Sequence, residues 1–282
     1  MLLELMLSEF GSASKTTVKK MISHGNVHIN GKMATNPSQT VKPGDVVEYT
    51  RQTQVKSKIK PPFPIYFEDD HILITEKPAG VLTIGDKGTG GTSFYKMMLD
   101  FVKERAQGRE RLFVVHRLDR EVSGLLVIAK SEEMQQKLKD QWSQTKKLYY
   151  ALVEGHPPQE SGTIKTWLIE KGDQRVSSVR EQEGAKSAIT HYKVIDKTDD
   201  YSLLEVQLET GRKNQIRVHL SEMGCPVVGD RRYGADARFE RRIRLHAYYL
   251  SFPHPQSGKS IEFKSKMPRG FLVLKPENEK YK

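Results

Sequence analysis

The sequence places a carboxylate among basic side chains, where it is available for chemistry. Asp119 lies in the stretch HRLDREVSGLLVIAKS between Arg117 and Arg120, and His116 begins that stretch. Nearby positive charge favours the ionised form of a carboxyl group, so this carboxylate is predicted to stay ionised, and ionised carboxylates serve enzymes as nucleophiles or general bases. By spacing alone, a solvated aspartate in a surface turn is the more common interpretation.

Two further features supply polar groups of the kind that active sites use. Tyr149 and Tyr150 are successive in a predicted strand over Lys146 to Gly155, so their side chains point to opposite faces and one of them can line a cleft. Arg217 lies about one turn into the predicted helix QIRVHLSEMG, from which it can point into a cleft. Taken singly, a tyrosine pair is more often part of a core and such an arginine is more often a surface charge.

The sequence contains no pattern typical of a metal or nucleotide site. Its histidines are scattered without an H-E-x-x-H motif, and the single Cys225 excludes an internal disulfide and a multi-cysteine zinc site. The glycine-rich tract at residues 85–93 lacks the G-K-[ST] ending of a phosphate-binding loop and is predicted to be a flexible connection. We therefore predict no metal site.

Hydrophobic patterning predicts the elements that hold these residues. Ser123–Gly124 is predicted to be a turn-like break, and the apolar run Leu125 to Ala129 after it is typical of a short buried strand. Asp119 is therefore predicted to lie in a loop that leads into a rigid core element. A helix is predicted over residues 131–144, because its first residue is a serine suited to an N-cap and two glutamates follow in the first turn.

Composition and charge narrow the possible partners. The chain has 282 residues, enough for about two domains, and a net charge of +11. Such an excess of lysine and arginine indicates a polyanionic partner, with nucleic acid as the first candidate and an anionic membrane surface as the second. No run of about 18 apolar residues is available to span a bilayer, and the apolar start MLLELML lacks the basic flank and cleavage site of a signal peptide. We expect a cytoplasmic protein that does not enter the membrane.

Composition also divides the chain into a small unit at residues 1–50, a linker at 51–63 and a larger unit at 64–282. The first unit is predicted to contain two short helices and a small sheet. The linker is polar and basic and ends in prolines, which is typical of a connection between domains.

The small unit resembles the S4-type RNA-binding module in the stretch SKTTVKKMISHGNVHINGKMATNPSQTVKPGDVVEY. The Arg-Leu-Asp phrase usual near the start of that module is absent, so the resemblance implies RNA binding more than any particular contact. It makes Lys15, Lys19 and Lys20 candidates for contacts with RNA phosphates. A small docking domain with solvated lysines is the alternative.

The larger unit resembles the RluA-type family of RNA pseudouridine synthases over about residues 65 to 275. Four motifs occur in the family's order, namely TEKPAGVLT, HRLDREVSGLLVIAK, KKLYYALVEG, and ETGRKNQIRVHLSEMGCPVVGDRRYG with RLHA downstream. Four ordered motifs are far more specific than any one of them. One departure is Asn214, which stands where family members often carry histidine and puts a polar contact at that position in doubt.

The resemblance implies an α+β fold with a pseudouridine-synthase-like, mixed and largely antiparallel central sheet, flanking helices and loops, and the site in a basic cleft across the sheet. It also implies isomerisation of specific uridines in structured RNA. That reaction oxidises nothing and carries no group in or out, so no cofactor is expected.

The same resemblance assigns roles to individual residues. Asp119 matches the family's catalytic aspartate and acts as nucleophile or as base toward the ribose, which the sequence does not decide. Tyr149 matches the motif tyrosine that stacks on the base, and Arg217 matches the basic residue that pairs with Asp119. Arg117 is expected to occupy the space of the target base after it flips out of its stack.

Three further residues are expected to contact the RNA substrate or support the site. His116 contacts phosphate or supports the loop, with neither alternative favoured, and Arg212 and Gln215 belong to the arginine motif. We expect a monomer that acts on RNA, with large-subunit ribosomal RNA preferred over transfer RNA. A non-catalytic RNA-binding or ribosome-assembly factor is the alternative function.

Overall fold

The computed structural model describes residues 1–9, 14–23, 27–49, 60–85, 92–106, 108, 110–172, 174–236 and 242–274. Contacts divide the chain into two compact units, Met1–Lys60 and Pro61–Lys282. Most of the predicted linker, residues 51–59, lies outside the described residues, as do residues 86–91 of the glycine-rich tract. No helix within the described ranges is long and apolar enough to cross a bilayer.

In the part of the amino-terminal unit that the structure describes, two helices accompany a three-stranded antiparallel sheet of order β2-β1-β3. Its elements are α1 (Leu2–Glu9), α2 (Lys15–Ser23), β1 (Val27–Ile29), β2 (Lys32–Met33) and β3 (Val47–Tyr49). Asn30 and Gly31 join β1 to β2 with positive φ angles of 50° and 74°. A two-residue turn with both φ angles positive matches the twist of such a hairpin and favours an Asn-Gly pair. Apolar side chains of both helices and β1 form the core of this unit.

The described residues of the second unit form one large sheet and three α-helices. Its elements are β4 (Ile65–Glu68), β5 (Ile72–Lys77), α3 (Phe94–Arg105), β6 (Phe113–Val114), β7 (Ser123–Ala129), α4 (Glu132–Asp140), β8 (Lys146–Glu154), β9 (Ser161–Glu170), β10 (Val176–Val179), β11 (Lys186–Lys197), β12 (Tyr201–Leu208), α5 (Gln215–Glu222), β13 (Leu245–Pro253) and β14 (Ser260–Lys264), with short 3₁₀ helices at Trp142–Gln144, Arg231–Tyr233 and Arg269–Leu274.

The sheet has eleven strands in the order β10-β9-β11-β12-β8-β13-β7-β5-β4, with β14 paired to β13 and β6 paired to β7. Every strand pair described is antiparallel except β13 with β7, which is parallel and has only two residue pairs in register, His246 with Ser123 and Ala247 with Gly124. The predicted mixed and largely antiparallel sheet of an α+β fold is therefore confirmed.

Strand β7 is buried along its whole length, which explains its continuous apolar run. Leu125 and Val127 pack with Met134 and Leu138 of α4 in one apolar cluster. The helix begins where predicted, because Ser131 Oγ accepts a hydrogen bond from the Met134 amide at 3.2 Å. This packing fixes the strand that follows the Asp119 loop.

The predicted turn at Ser123–Gly124 is wrong, because both residues belong to β7. Gly124 has a φ of 134°, and a Cβ atom there would lie 2.2 Å from the carbonyl oxygen of Ala247. The glycine is therefore needed for the close approach of β13 rather than for a change of chain direction.

Candidate active site

A cleft enclosing about 450 Å³ of space, part of it open to solvent, lies on one face of the large sheet. It brings together most of the site residues predicted in the larger unit, namely Arg117, Asp119, Tyr149, Arg212, Gln215 and Arg217. These residues come from the loop before β7, from β8 and from the segment that begins α5. The fold therefore converts motifs far apart in the sequence into one concave site.

Hydrogen bonds to the TEKPAGVLT segment hold the Asp119 loop in place. Thr83 Oγ1 donates to the carbonyl oxygen of Leu118 at 2.7 Å and accepts from the Leu118 amide at 3.2 Å. The Gly80 amide donates to the carbonyl oxygen of Arg120 at 2.7 Å. Bonds on both sides of Asp119 therefore fix its backbone at the cleft.

Lys77 ties the same two segments together from inside the protein. Its side chain is fully buried, and its ammonium donates to the carbonyl oxygens of Pro78, Val81 and Arg120 at 2.9, 2.8 and 3.2 Å. Burial lowers the pKa of Lys77 to about 8, against the opposing effect of Asp119. Sequence analysis did not identify this lysine, although a lysine that ends an apolar strand and precedes proline was a visible signal.

Arg217 faces Asp119 but is bound most tightly elsewhere. Its Nη1 lies 3.7 Å from Asp119 Oδ2 and 3.6 Å from Glu121 Oε2. Its Nε and Nη2 donate to the two carboxylate oxygens of Asp230 at 2.6 and 2.8 Å. The Asp230 side chain is completely buried, so this bidentate pair fixes the direction of the guanidinium. Asp230, which sequence analysis missed, is therefore the anchor of Arg217.

Asn214 also orients Arg217. Its Oδ1 accepts from Arg217 Nη1 at 2.9 Å, and its Nδ2 donates to the Tyr233 hydroxyl at 3.1 Å. The residue has a φ of 55° immediately before α5, a left-handed conformation that asparagine tolerates better than most residues. Asparagine therefore makes a polar contact at the position where the family often has histidine.

Burial raises the pKa of Asp119, although Arg217, Arg117 and Lys77 oppose that effect. Glu121 raises the pKa of this carboxyl further. This rise in the pKa is opposite to the decrease expected from the flanking arginines. The sequence shows the neighbouring charges but does not show that the carboxyl group loses contact with solvent. The side chain keeps 31% of its exposure, so the carboxylate remains accessible from the cleft.

Tyr149 and Tyr150 lie on opposite faces of β8. Tyr149 lines the cleft, and burial together with the charge of Asp119 raises the pKa of its phenol, which is therefore neutral at ordinary pH. Tyr150 stacks on Tyr248 with ring centroids 3.8 Å apart and planes within 9°. The cleft thus presents a neutral phenol to the carboxylate of Asp119.

Gln215, predicted to contact the RNA substrate, lines the cleft but directs its carboxamide to protein groups. Its Oε1 accepts from Thr210 Oγ1 at 2.8 Å and from the Arg212 amide at 3.0 Å. Its Nε2 donates to the carbonyl oxygen of Ile189 and to Thr190 Oγ1, both at 3.0 Å. All four hydrogen-bonding positions of the carboxamide are used within the protein, so Gln215 fastens the Arg212 loop to β11.

The other predicted contact residues lie at different depths. Arg117 is exposed at the mouth of the cleft, whereas Arg212 is exposed with its Nε bound to the carbonyl oxygen of Ser187 at 3.0 Å. Lys15 and Lys19 are exposed on α2 of the amino-terminal unit. The side chain of Lys20 lies outside the described residues.

His116 is directed into the protein. Its Nε2 accepts a hydrogen bond from the Val127 amide at 3.1 Å, and its ring centroid lies 4.5 Å from that of Trp142. Burial, with a contribution from the charge of Lys147, lowers the pKa of His116 to about 3. The imidazole is therefore neutral, and its Nε2 contact supports the strand that follows the loop.

Within the described part of the chain, no group of three or more histidine, cysteine, aspartate or glutamate side chains is arranged to hold a metal ion. The arrangement in the cleft instead offers one carboxylate beside a guanidinium and faced by a phenol. Such a set can form or break a bond at carbon and move a proton.

Comparison with known proteins agrees with this geometry. The family model described as RNA pseudouridylate synthase matches residues 71–222, and the S4 domain model matches residues 3–47. A Chloroflexus aurantiacus protein described as an uncharacterized RNA pseudouridine synthase is 39% identical over 278 residues, covering 93% of this chain and 84% of that protein. The ribosomal large subunit pseudouridine synthase D of Zymomonas mobilis is 32% identical over 281 residues, covering 93% of this chain and 88% of that protein.

A solved structure gives the same result. Human RNA Pseudouridylate Synthase Domain Containing 4 aligns with a TM-score of 0.61 and 26% identity, covering 74% of this chain and 90% of that chain. The synthase family model falls within the unit that contains the cleft, the S4 match falls within the amino-terminal unit, and the relatives extend over both units. The chain therefore belongs to the RNA pseudouridine synthases, enzymes that isomerise uridine in RNA to pseudouridine.

Proposed function

We propose that this enzyme converts uridines in structured RNA, foremost large-subunit ribosomal RNA, with Asp119 as its catalytic carboxylate. The single observation that carries the proposal is the position of Asp119 in the cleft, 3.7 Å from the anchored guanidinium of Arg217 and with Tyr149 in the same cleft. Several relatives that cover over 90% of the chain are named ribosomal large subunit pseudouridine synthase D. Transfer RNA is the alternative substrate.

The chemistry divides naturally among these residues. The bond from N1 of uracil to C1′ of the ribose must break, and the base must turn so that C5 bonds to C1′. C5 then loses its proton, and N1 takes up a proton, so that no group is gained or lost. The Asp119 carboxylate acts as nucleophile or base at the ribose, and Arg217 stabilises its charge as the base excludes water. Tyr149 stacks on the uracil and is placed to assist removal of the C5 proton.

The target base must leave its stack, because atoms held inside a helix cannot reach a carboxylate at the floor of a cleft. Arg117 is exposed at the cleft mouth, where its guanidinium can fill the space that the flipped base leaves. The exposed Lys15 and Lys19 of the S4 domain supply further phosphate contacts. A binding factor without activity would not need the set of Asp119, Tyr149 and Arg217.

The test maps pseudouridines across total RNA from cells without the protein, with the wild-type protein, and with Asp119→Asn. Asparagine keeps the size of the side chain but removes the charge, so we expect sites in large-subunit RNA that appear only with the wild type. Conversion by Asp119→Asn at the wild-type rate would refute the catalytic assignment. Sites confined to transfer RNA would refute the ribosomal assignment alone.

A further inference from the structure

Tyr233 ends the short 3₁₀ helix that follows Asp230 and packs between α5 and β10. It is 3% exposed and belongs to a cluster of buried residues with Val176 of β10 and Val218 of α5. Ser221 Oγ donates a hydrogen bond to its carbonyl oxygen at 2.5 Å, which ties its backbone to α5 as well. The described residues that line the cleft do not include Tyr233, so any effect on the reaction passes through a neighbour.

The hydroxyl oxygen of Tyr233 accepts two hydrogen bonds, from the Val176 amide at 3.2 Å and from Asn214 Nδ2 at 3.1 Å. Asn214 Oδ1 accepts from Arg217 Nη1 at 2.9 Å. A guanidinium has no acceptor atom, so Asn214 can bind Arg217 only with its carbonyl end. The Tyr233 oxygen accepts from the amide end and therefore stabilises the one orientation of the carboxamide that suits Arg217.

The ring of Tyr233 contacts Arg217 directly. Its centroid lies 5.1 Å from Arg217 Cζ, within the range of a favourable cation–π contact. Asp230 holds the Nε and Nη2 edge of the guanidinium, and a pair joined along one edge can still tilt about the line between the two groups. The ring and the Asn214 bond restrain that tilt.

This restraint decides where the other N–H of Nη1 points. One N–H of Nη1 is bound to Asn214, and Nη1 is also the atom that lies 3.7 Å from Asp119 Oδ2 and 3.6 Å from Glu121 Oε2. The N–H that remains is therefore the donor available to the proposed catalytic carboxylate.

We propose that Tyr233 is a positioning residue for the isomerisation, which holds Arg217 through Asn214 and through its own ring so that the remaining Nη1 N–H faces Asp119. Packing alone would be satisfied by phenylalanine, whereas this role also requires the hydroxyl. The inference rests on the proposed function, in which Arg217 stabilises the charge of Asp119.

The first test measures pseudouridine formation by Tyr233→Phe in RNA purified from cells that lack the protein. The variant keeps the ring and loses the hydroxyl, so kcat should fall about two- to tenfold, the value of one hydrogen bond. KM should stay within about twofold of the wild type, because Arg217 acts after the RNA is bound. The matched control is Tyr192→Phe, since Tyr192 is a buried tyrosine of β11 outside the cleft lining, and it should keep the wild-type kcat.

A double variant tests the link through Asn214. Asn214→Gly removes the carboxamide, and glycine accepts the φ of 55° at this position. If the hydroxyl acts through Asn214, adding Tyr233→Phe to Asn214→Gly should change kcat by less than about twofold. Two full effects that multiply would overturn this link.

A pH titration separates positioning from packing. Arg217 lowers the pKa of Asp119 against the effect of burial, so a guanidinium that is held less well should let that pKa rise in Tyr233→Phe. The acid limb of the kcat/KM profile should then move to higher pH, because the reaction uses the carboxylate. The other charged or titratable groups that act on or respond to Asp119 are Lys77 of β5, Arg117 and Glu121 of its own loop, and Tyr149 of β8.

The same shift should appear without turnover in a carbon-13 NMR titration of the full-length protein, with the Asp119 carboxyl signal assigned by its absence from Asp119→Asn. An Asp119 titration that stays at the wild-type position in Tyr233→Phe would overturn the proposal, as would a wild-type kcat. If Tyr233→Phe does not fold, Asn214→Gly alone must lower kcat and raise the Asp119 titration, and an unchanged Asn214→Gly would count against the proposal in the same way. Conversion by Asp119→Asn would instead refute the catalytic assignment of Asp119, so the two failures are distinguishable.

Discussion

Replacing Asp230 by alanine should destabilise the catalytic unit more than the loss of an ordinary carboxylate. Asp230 holds Nε and Nη2 of Arg217 at 2.6 and 2.8 Å, and the exposures of the Arg217 and Asp230 side chains are 6% and 0%. Asp230→Ala leaves the guanidinium inside the protein without its bidentate partner. The long contacts of Arg217 Nη1 to Asp119 and Glu121, at 3.7 and 3.6 Å, are too weak to compensate.

The expected loss of stability follows from the burial of the Arg217–Asp230 pair. Breaking a buried pair by removing one partner costs about 3 to 5 kcal/mol. For a domain of this size each kcal/mol lowers the melting temperature by about 2 to 4 °C, so a decrease of roughly 6 to 20 °C is expected. The double variant Arg217→Met/Asp230→Ala should lose less unfolding free energy than the two single variants lose together. The expected difference is about 0.5 to 3 kcal/mol.

The assay is chemical and thermal unfolding of the full-length variants, with Asp100→Ala as the matched control. Asp100 pairs with Lys96 at 2.5 Å, but the two side chains are 53% and 60% exposed, so its loss should cost less than about 1 kcal/mol. Equal destabilisation by Asp230→Ala and Asp100→Ala would refute the claim that Asp230 anchors Arg217. Strict additivity in the double variant would refute it as well.

Two predictions concern pH. Glu121→Gln removes the second carboxylate near Arg217 and one cause of the raised pKa of Asp119. The acid limb of the kcat/KM profile should therefore move to lower pH. An acid limb that does not move, or that moves equally in the exposed control Glu183→Gln, would refute this prediction. Burial lowers the pKa of His219 and His246 to about 4. The unfolded chain therefore binds protons below pH 6.5 that the folded chain does not, and stability should fall by on the order of 2 to 3 kcal/mol per histidine between pH 6.5 and 4. Urea unfolding should show that His219→Gln loses less stability than the wild type between pH 6.5 and 4. An identical loss in the two proteins would contradict the lowered pKa of His219.

Local pattern and motif order predicted much of this fold. The apolar run that became β7 and the capped helix α4 were predictable because burial and capping leave periodic and positional signals in the sequence. The placement of Asp119, Tyr149 and Arg217 in one cleft was predictable from the resemblance alone, since no local pattern states which distant segments meet.

The features that the sequence did not predict depend on contacts between residues far apart in the chain. Asp230 lies thirteen residues beyond Arg217, and nothing in its neighbourhood marks it as the partner. Gln215 was predicted to contact substrate from its place in the arginine motif, and the sequence did not indicate that the protein itself uses all the hydrogen-bonding positions of its carboxamide. Gly124 was predicted to form a turn, although it allows the close approach of β13 to β7. In each case the deciding neighbour comes from another element.

The narrow parallel pairing of β13 with β7 has a mechanical consequence for catalysis. This pairing joins the part of the sheet from β10 to β13, the first lobe, to the part from β7 to β4, the second lobe, through two residue pairs. On its other side, β13 pairs with β8 through six residue pairs. Asp119 precedes β7 in one lobe, while Tyr149 and Arg217 are carried by the other. The proposed reacting groups therefore lie on both sides of this pairing, so a change in the angle between β13 and β7 would change the distances among them.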